Sequence, residues 1–137
     1  MPTLFYVNIA TQDLEKLPRF YTDLFGFEEA RATRTPDFRA VLSGKTTIGF
    51  SAAPTYAALN LPEPPRGTKL ILTFDVSHIG EVDAKIERAI ALGAKLLKPA
   101  FRTSYGHYQA VLLDPEGNAF RINTILEQTS ATEAHRT

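Results

Sequence analysis

Cysteine is missing from all 137 residues, which excludes disulfides, thiolate metal sites and cysteine nucleophiles. Net charge is missing too, since 15 lysines and arginines balance 15 aspartates and glutamates. Without a basic run the chain offers no electrostatic attraction for nucleic acid or for an anionic membrane. No apolar run nears the roughly 18 residues that a bilayer-spanning helix needs. The start, Met1-Pro2-Thr3-Leu4-Phe5, lacks the basic-then-apolar layout of a signal peptide, so a cytoplasmic protein is expected. Nucleophile-elbow, phosphate-loop and zinc motifs are absent as well, so no standard chemistry is written into the chain.

What is present is a repeat. Tyr6-Val7-Asn8-Ile9-Ala10-Thr11-Gln12-Asp13 leads into an amphipathic stretch, Leu14 to Leu24, that stops at Gly26. Ile71-Leu72-Thr73-Phe74-Asp75-Val76-Ser77-His78 leads into another, Val82 to Leu92, that stops at Gly93. Two similar modules must pair to bury their faces, and that pairing creates a cleft. A length of 137 residues suits one domain, with modules over about 4–51 and 69–126, a linker over 52–68 and a polar tail over 127–137.

Within the first module Phe5 to Ala10 reads as a strand. Asp13 is a fitting N-cap, and Leu14, Leu17, Tyr21 and Leu24 mark one helix face. Pro18 is tolerable because first-turn amides lack intrahelical acceptors. Strands are expected over Phe27 to Ala32, Phe38 to Leu42 and Thr46 to Ser51, the last two joined by Ser43-Gly44-Lys45. The linker carries Pro54, Pro62, Pro64, Pro65 and Gly67, with a short helical turn near Tyr56 to Leu59. In the second module Lys69 to Val76 is a strand, and Val82, Ile86, Ala89 and Ile90 form a helical stripe. Ala94 to Leu97, Tyr108 to Leu113 and Ala119 to Ile125 complete it, with Asp114-Pro115-Glu116-Gly117-Asn118 turning between the last two. The order is βαβββ twice, an α+β architecture.

Asp13-Leu14-Glu15-Lys16 with Phe20-Tyr21-Thr22-Asp23-Leu24-Phe25-Gly26-Phe27, then Ala91-Leu92-Gly93-Ala94, then Asp114-Pro115-Glu116-Gly117-Asn118, stand in a specific order. In that combination the chain resembles the vicinal oxygen chelate superfamily, which includes glyoxalase I, bleomycin-resistance proteins and extradiol dioxygenases. The likeness runs from Phe5 to Ile125. It implies two βαβββ modules forming a half-open eight-stranded barrel with helices outside, and a homodimer whose pockets are completed across the subunit contact.

Family enzymes hold a divalent metal with His, Glu or Gln from the first and last strands of each module. The resemblance places those positions here at Tyr6, Gly49, Ile71 and Arg121, with a register ambiguity of about one residue at Gly49. Gly49 and Ile71 offer no donor, Arg121 carries a fixed positive charge, and a phenol is a poor ligand for zinc or magnesium. The flanks Ile48, Phe50, Leu70, Leu72, Phe120 and Ile122 are apolar, so a shifted register supplies nothing. No metal and no cofactor are therefore expected. Nor do the histidines rebuild a site: His78 suits an N-cap or surface position, and His135 lies in the tail. His107 is either a rim residue or a ligand contact and proton-transfer group.

Alternation sends Val7, Ile9, Leu72, Phe74, Val76, Phe120 and Ile122 to the helix side. Tyr6, Asn8, Ala10, Ile71, Thr73, Asp75, Ala119, Arg121 and Asn123 take the other face. A polar face of that kind suits a solvated or ligand-filled cavity better than a solid core. Arg121 either pairs with Asp75 or grips a carboxylate, a phosphate or an aromatic ring. Tyr6, Phe38, Tyr108 and Tyr56 are candidate flat walls. The expected ligand site thus comprises Arg121, Tyr6, Asn8, Asp75, Asn123, His107, Tyr108 and Phe38. The favoured function is metal-free binding or sequestration of a small anionic or aromatic compound. The competing one is a lyase, isomerase or dioxygenase-type enzyme using Tyr6, His107 or Asp75, and a regulatory role has no positive support.

Overall fold

The computed structural model describes residues 2, 4–64 and 69–126. The chain divides into two units, residues 1–67 and 68–137. Each is a four-stranded sheet with a helix on one face, and the fold class is α+β.

In the first unit β1 (Tyr6–Ala10) is followed by α1 (Lys16–Phe25), β2 (Glu28–Glu29), β3 (Phe38–Ser43) and β4 (Thr46–Ser51). Asp13 starts the helix: its Oδ1 accepts from the amides of Glu15 at 3.0 Å and Lys16 at 2.9 Å. Those bonds, the Lys16 amide foremost, hold the carboxyl below its ordinary range. Pro18 falls in the first turn, where no helical donor is required. Leu17, Tyr21 and Leu24 are buried as their spacing predicts, and Phe20 joins them. Gly26 ends the helix at φ 74°, donating to Thr22. The strand order is β1-β4-β3-β2, with β1 parallel to β4. Ile9, Val41, Ile48 and Phe50 line the helix-bearing face, where the Tyr21 and Phe50 rings lie 5.9 Å apart.

The second unit repeats this with β5 (Ile71–Asp75), α3 (Ile79–Ala91), β6 (Lys95–Arg102), β7 (His107–Leu113) and β8 (Ala119–Ile125), ordered β5-β8-β7-β6. His78 caps α3: its Nδ1 accepts from the Glu81 amide at 3.1 Å. The Glu81 carboxylate reaches back to accept from the Ser77 amide at 2.8 Å, tying down the residue before the cap. Val82 and Ala89 are fully buried, whereas Ile90, expected on the same stripe, is 48% exposed. In the turn before β8, Asp114 accepts from the amides of Glu116 and Asn118.

Three elements differ from expectation. The strand read over Phe27 to Ala32 shrinks to Glu28–Glu29, because Arg31–Thr33 turns as a short 3-10 helix. Arg34 folds back from beyond that turn onto the Glu29 carboxylate. The strand read over Ala94 to Leu97 instead runs to Arg102, through Pro99. It survives the proline because β6 is an edge strand whose register slips between Lys98 and Phe101. The linker turn near Tyr56 is a longer helix, α2 (Ala53–Ala58). Residues 65–68, the tail and His135 lie outside the described residues.

Candidate functional site

Strand pairing settles which side chains share a face. In the first sheet Tyr6 is paired with Thr47, Asn8 with Gly49 and Ala10 with Ser51, while Phe38 pairs with Ser51. This is the face away from α1. Tyr6 and Phe38 stand edge to face with ring centroids 6.3 Å apart, and Phe5 packs on Tyr6 at 5.2 Å. Asn8 and Ser51 are linked through Nδ2 and Oγ at 2.7 Å. Gly49 lies beneath them: a Cβ there would be 2.6 Å from Asn8 Oδ1 and 3.0 Å from Phe38 Cε1. The missing side chain is what lets the Phe38 ring and the Asn8 amide lie over the strand. Tyr6, Asn8 and Phe38 are therefore brought together, on an aromatic shelf with one amide.

The second sheet gathers the ionisable groups. Ile71, Thr73 and Asp75 of β5 pair with Ala119, Arg121 and Asn123 of β8, and Asn123 pairs in turn with Gln109 of β7. Arg121 Nε donates to Thr73 Oγ1 at 2.9 Å. Asp75 is not its partner; Arg121 forms no ion pair among the described residues. Asp75 Oδ1 instead accepts from Asn123 Nδ2 at 3.2 Å, and Asn123 Oδ1 lies 3.1 Å from His107 Nδ1. Tyr105 meets the His107 ring edge to face at 4.8 Å and accepts from Gln109 Nε2 at 3.1 Å. Arg121, Asp75, Asn123 and His107 thus share one face of one sheet.

Tyr108 does not belong with them. One residue beyond His107, it points to the opposite face, where its hydroxyl donates to Asp83 of α3 at 2.8 Å. That bond, with some burial, raises the phenol above its ordinary pKa. Tyr56 sits on α2, half-buried, and burial raises its phenol likewise. Gln109, Tyr105 and Ser51 were not among the expected site residues. Gln109 was within reach of the alternation rule from His107, but Ser51 and Tyr105 needed the strand register and the turn.

The four positions corresponding to the family's metal ligands present a phenol, no side chain, an alkyl group and a guanidinium. None of these groups is a fitting ligand for a divalent cation. Among the described residues no cluster of three or more His, Asp or Glu side chains offers another site.

Residues 6–123 match the model of the glyoxalase-like domain. The chain belongs to that family, within the vicinal oxygen chelate superfamily. It is 46% identical to a glyoxalase/bleomycin resistance protein/dioxygenase family enzyme from Burkholderia phytofirmans PsJN, over 88% of this chain and 97% of that one, with a TM-score of 0.86. A glyoxalase-related enzyme from Fulvimarina pelagi shares 22% identity over 90% of this chain and 88% of its own, at a TM-score of 0.80. Lactoylglutathione lyase from Agrobacterium tumefaciens shares 21% over 89% and 92%, at 0.68. The last two are alike in fold alone. Comparison with curated proteins finds no match.

Proposed function

We propose that this glyoxalase-like protein binds a small anionic or aromatic compound without a metal ion, on the face of the second sheet that points away from α3. The observation that carries this is Arg121, whose Nε is held by Thr73 while Nη1 and Nη2 make no hydrogen bond among the described residues. A guanidinium oriented from behind is prepared for two parallel bonds to a carboxylate or phosphate. On the first sheet the Tyr6–Phe38 shelf is a flat apolar surface of its own, of the kind that characterises small-molecule sites. The homodimer and cytoplasmic location expected from the sequence belong to the same proposal.

Calorimetric titration with benzoate tests it. The parent protein should bind in chelator-treated buffer, and Arg121→Ala should lose binding while keeping its circular dichroism and thermal transition. Equal binding by the variant, or binding that appears only on adding a divalent ion, would overturn the assignment.

The chain His107, Asn123, Asp75 is the one observation favouring the enzymatic alternative.

A further inference from the structure

The Asn123 side chain has one orientation that its neighbours allow. Asp75, as a carboxylate, can only accept, so the amide atom facing it must be Nδ2. The other amide atom, Oδ1, then faces His107 Nδ1 and can itself only accept. His107 Nδ1 must therefore carry a hydrogen. In the neutral ring this leaves the lone pair on Nε2, which makes no hydrogen bond among the described residues. The ring is fixed in place: its backbone amide donates to Thr103 Oγ1 at 2.9 Å and Tyr105 packs against its face or edge at 4.8 Å. Three strands contribute to the chain, β5, β8 and β7, so the arrangement is built by the sheet rather than by a local turn. The charged and titratable groups around the ring are Asp75 behind Asn123, Tyr105 beside it, and Arg121 two residues from Asn123 along β8.

We propose that His107 is a proton acceptor, taking a hydrogen bond and in a reaction the proton itself from a hydroxyl of a small carboxylate- or phosphate-bearing compound held by Arg121. His107 pairs with Ile125, four residues beyond Arg121 on β8, so the two positions lie about 13 Å apart along the sheet. Anion and hydroxyl would sit at opposite ends of a molecule the size of one aromatic ring, with a hydrogen bond at each end. In the transfer the O–H bond breaks, its electron pair stays on oxygen, and the hydrogen becomes the Nε2–H. The imidazolium charge so formed is offset by Asp75 through Asn123, while Arg121 stays with the anion at the other end of the compound. Asn123 and Asp75 are positioning residues. The tautomer follows from their geometry alone; the choice of compound rests on the ligand site proposed above.

Nitrogen-15 NMR of the histidine rings on the full chain tests the first part without ligand. Neutral His107 should show a protonated Nδ1 and an unprotonated Nε2. His78 provides the opposite case in the same spectrum, because its Nδ1 accepts from the Glu81 amide and cannot be protonated in the neutral ring. Asp75→Ala, which frees the Asn123 amide to turn over, should raise the Nε2–H form of His107 and leave His78 unchanged. An Nε2–H tautomer in the parent protein, or no response to Asp75→Ala, overturns the proposal.

Paired titrations test the second part. 4-Hydroxybenzoate should bind about fivefold more tightly than benzoate, the worth of one hydrogen bond. His107→Phe should bring that ratio to about one, with His107→Gln as a second variant in case the first does not fold. A ratio unmoved in the folded variant overturns the role of His107. Loss of both acids from the parent, with the predicted tautomer intact, would instead count against the Arg121 ligand site.

Discussion

Gly49 lies so close under Asn8 that a Cβ on it would stand 2.6 Å from Asn8 Oδ1. Asn8 is in turn bonded to Ser51, so the glycine, the amide and the hydroxyl form one unit on the open face of the first sheet. Gly49→Ala should push Asn8 off Ser51 and tilt Phe38. The expected loss is about 1 kcal/mol, one hydrogen bond of ordinary strength. Urea unfolding should show a lower midpoint with an unchanged slope; an unchanged midpoint would mean that Asn8 turns aside at no cost.

Tyr108 and His107 are neighbours in sequence on opposite faces of β7, so they should respond to different experiments. Tyr108→Phe should leave benzoate binding untouched. It removes a bond to Asp83 near the surface, for an expected loss below about 1 kcal/mol at neutral pH. The folded phenol's pKa is raised, so the stabilisation is full below the ordinary value of 10.0 and declines as pH rises through the higher folded value. Parent and variant stabilities should converge in that alkaline window, as read by denaturant titrations at stepped pH.

Asp13 behaves in the reverse sense. Its folded pKa is lowered, so its contribution is present above the ordinary 3.8 and disappears as pH falls through the lower folded value. Asp13→Ala should lower the thermal midpoint at neutral pH. Asp13→Ser, which retains a capping oxygen, should recover part of it. The gap between parent and Asp13→Ala should close in acid.

Thr73→Val removes the acceptor that orients Arg121 while keeping the shape of the strand. Benzoate affinity should fall severalfold, less than in Arg121→Ala, because the guanidinium remains but is no longer held from behind. Equal loss in the two variants would make the Thr73 hydroxyl a ligand contact in its own right.

Several features were legible in the sequence because local chemistry decides them. Asp13, Gly26 and the turn Asp114 to Asn118 act through their own backbone neighbourhood, and each does in the structure what its residue type suggests. Period-two alternation likewise separated Ile9, Phe74, Phe120 and Ile122 from the open face. Where local signals conflicted, the sequence misled. The strand read over Ala94 to Leu97 runs on through Pro99, which an edge strand with a register slip accommodates. Beyond Glu29, the strand read as far as Ala32 gives way to a short turn, from beyond which Arg34 folds back onto Glu29.

The sequence by itself determined the repeat and the α+β class, because these depend on residue type and order. Only the tertiary structure decided who meets whom. Tyr108 turned from pocket wall to helix contact because one residue of strand parity reverses a face. Arg121 took Thr73 rather than Asp75, and Asp75 took Asn123, because parallel pairing sets β5 and β8 in one register and not the next. The link from His107 through Asn123 to Asp75 joins residues 16 and 48 positions apart. No local pattern encodes that alignment; it comes into being when three strands pair.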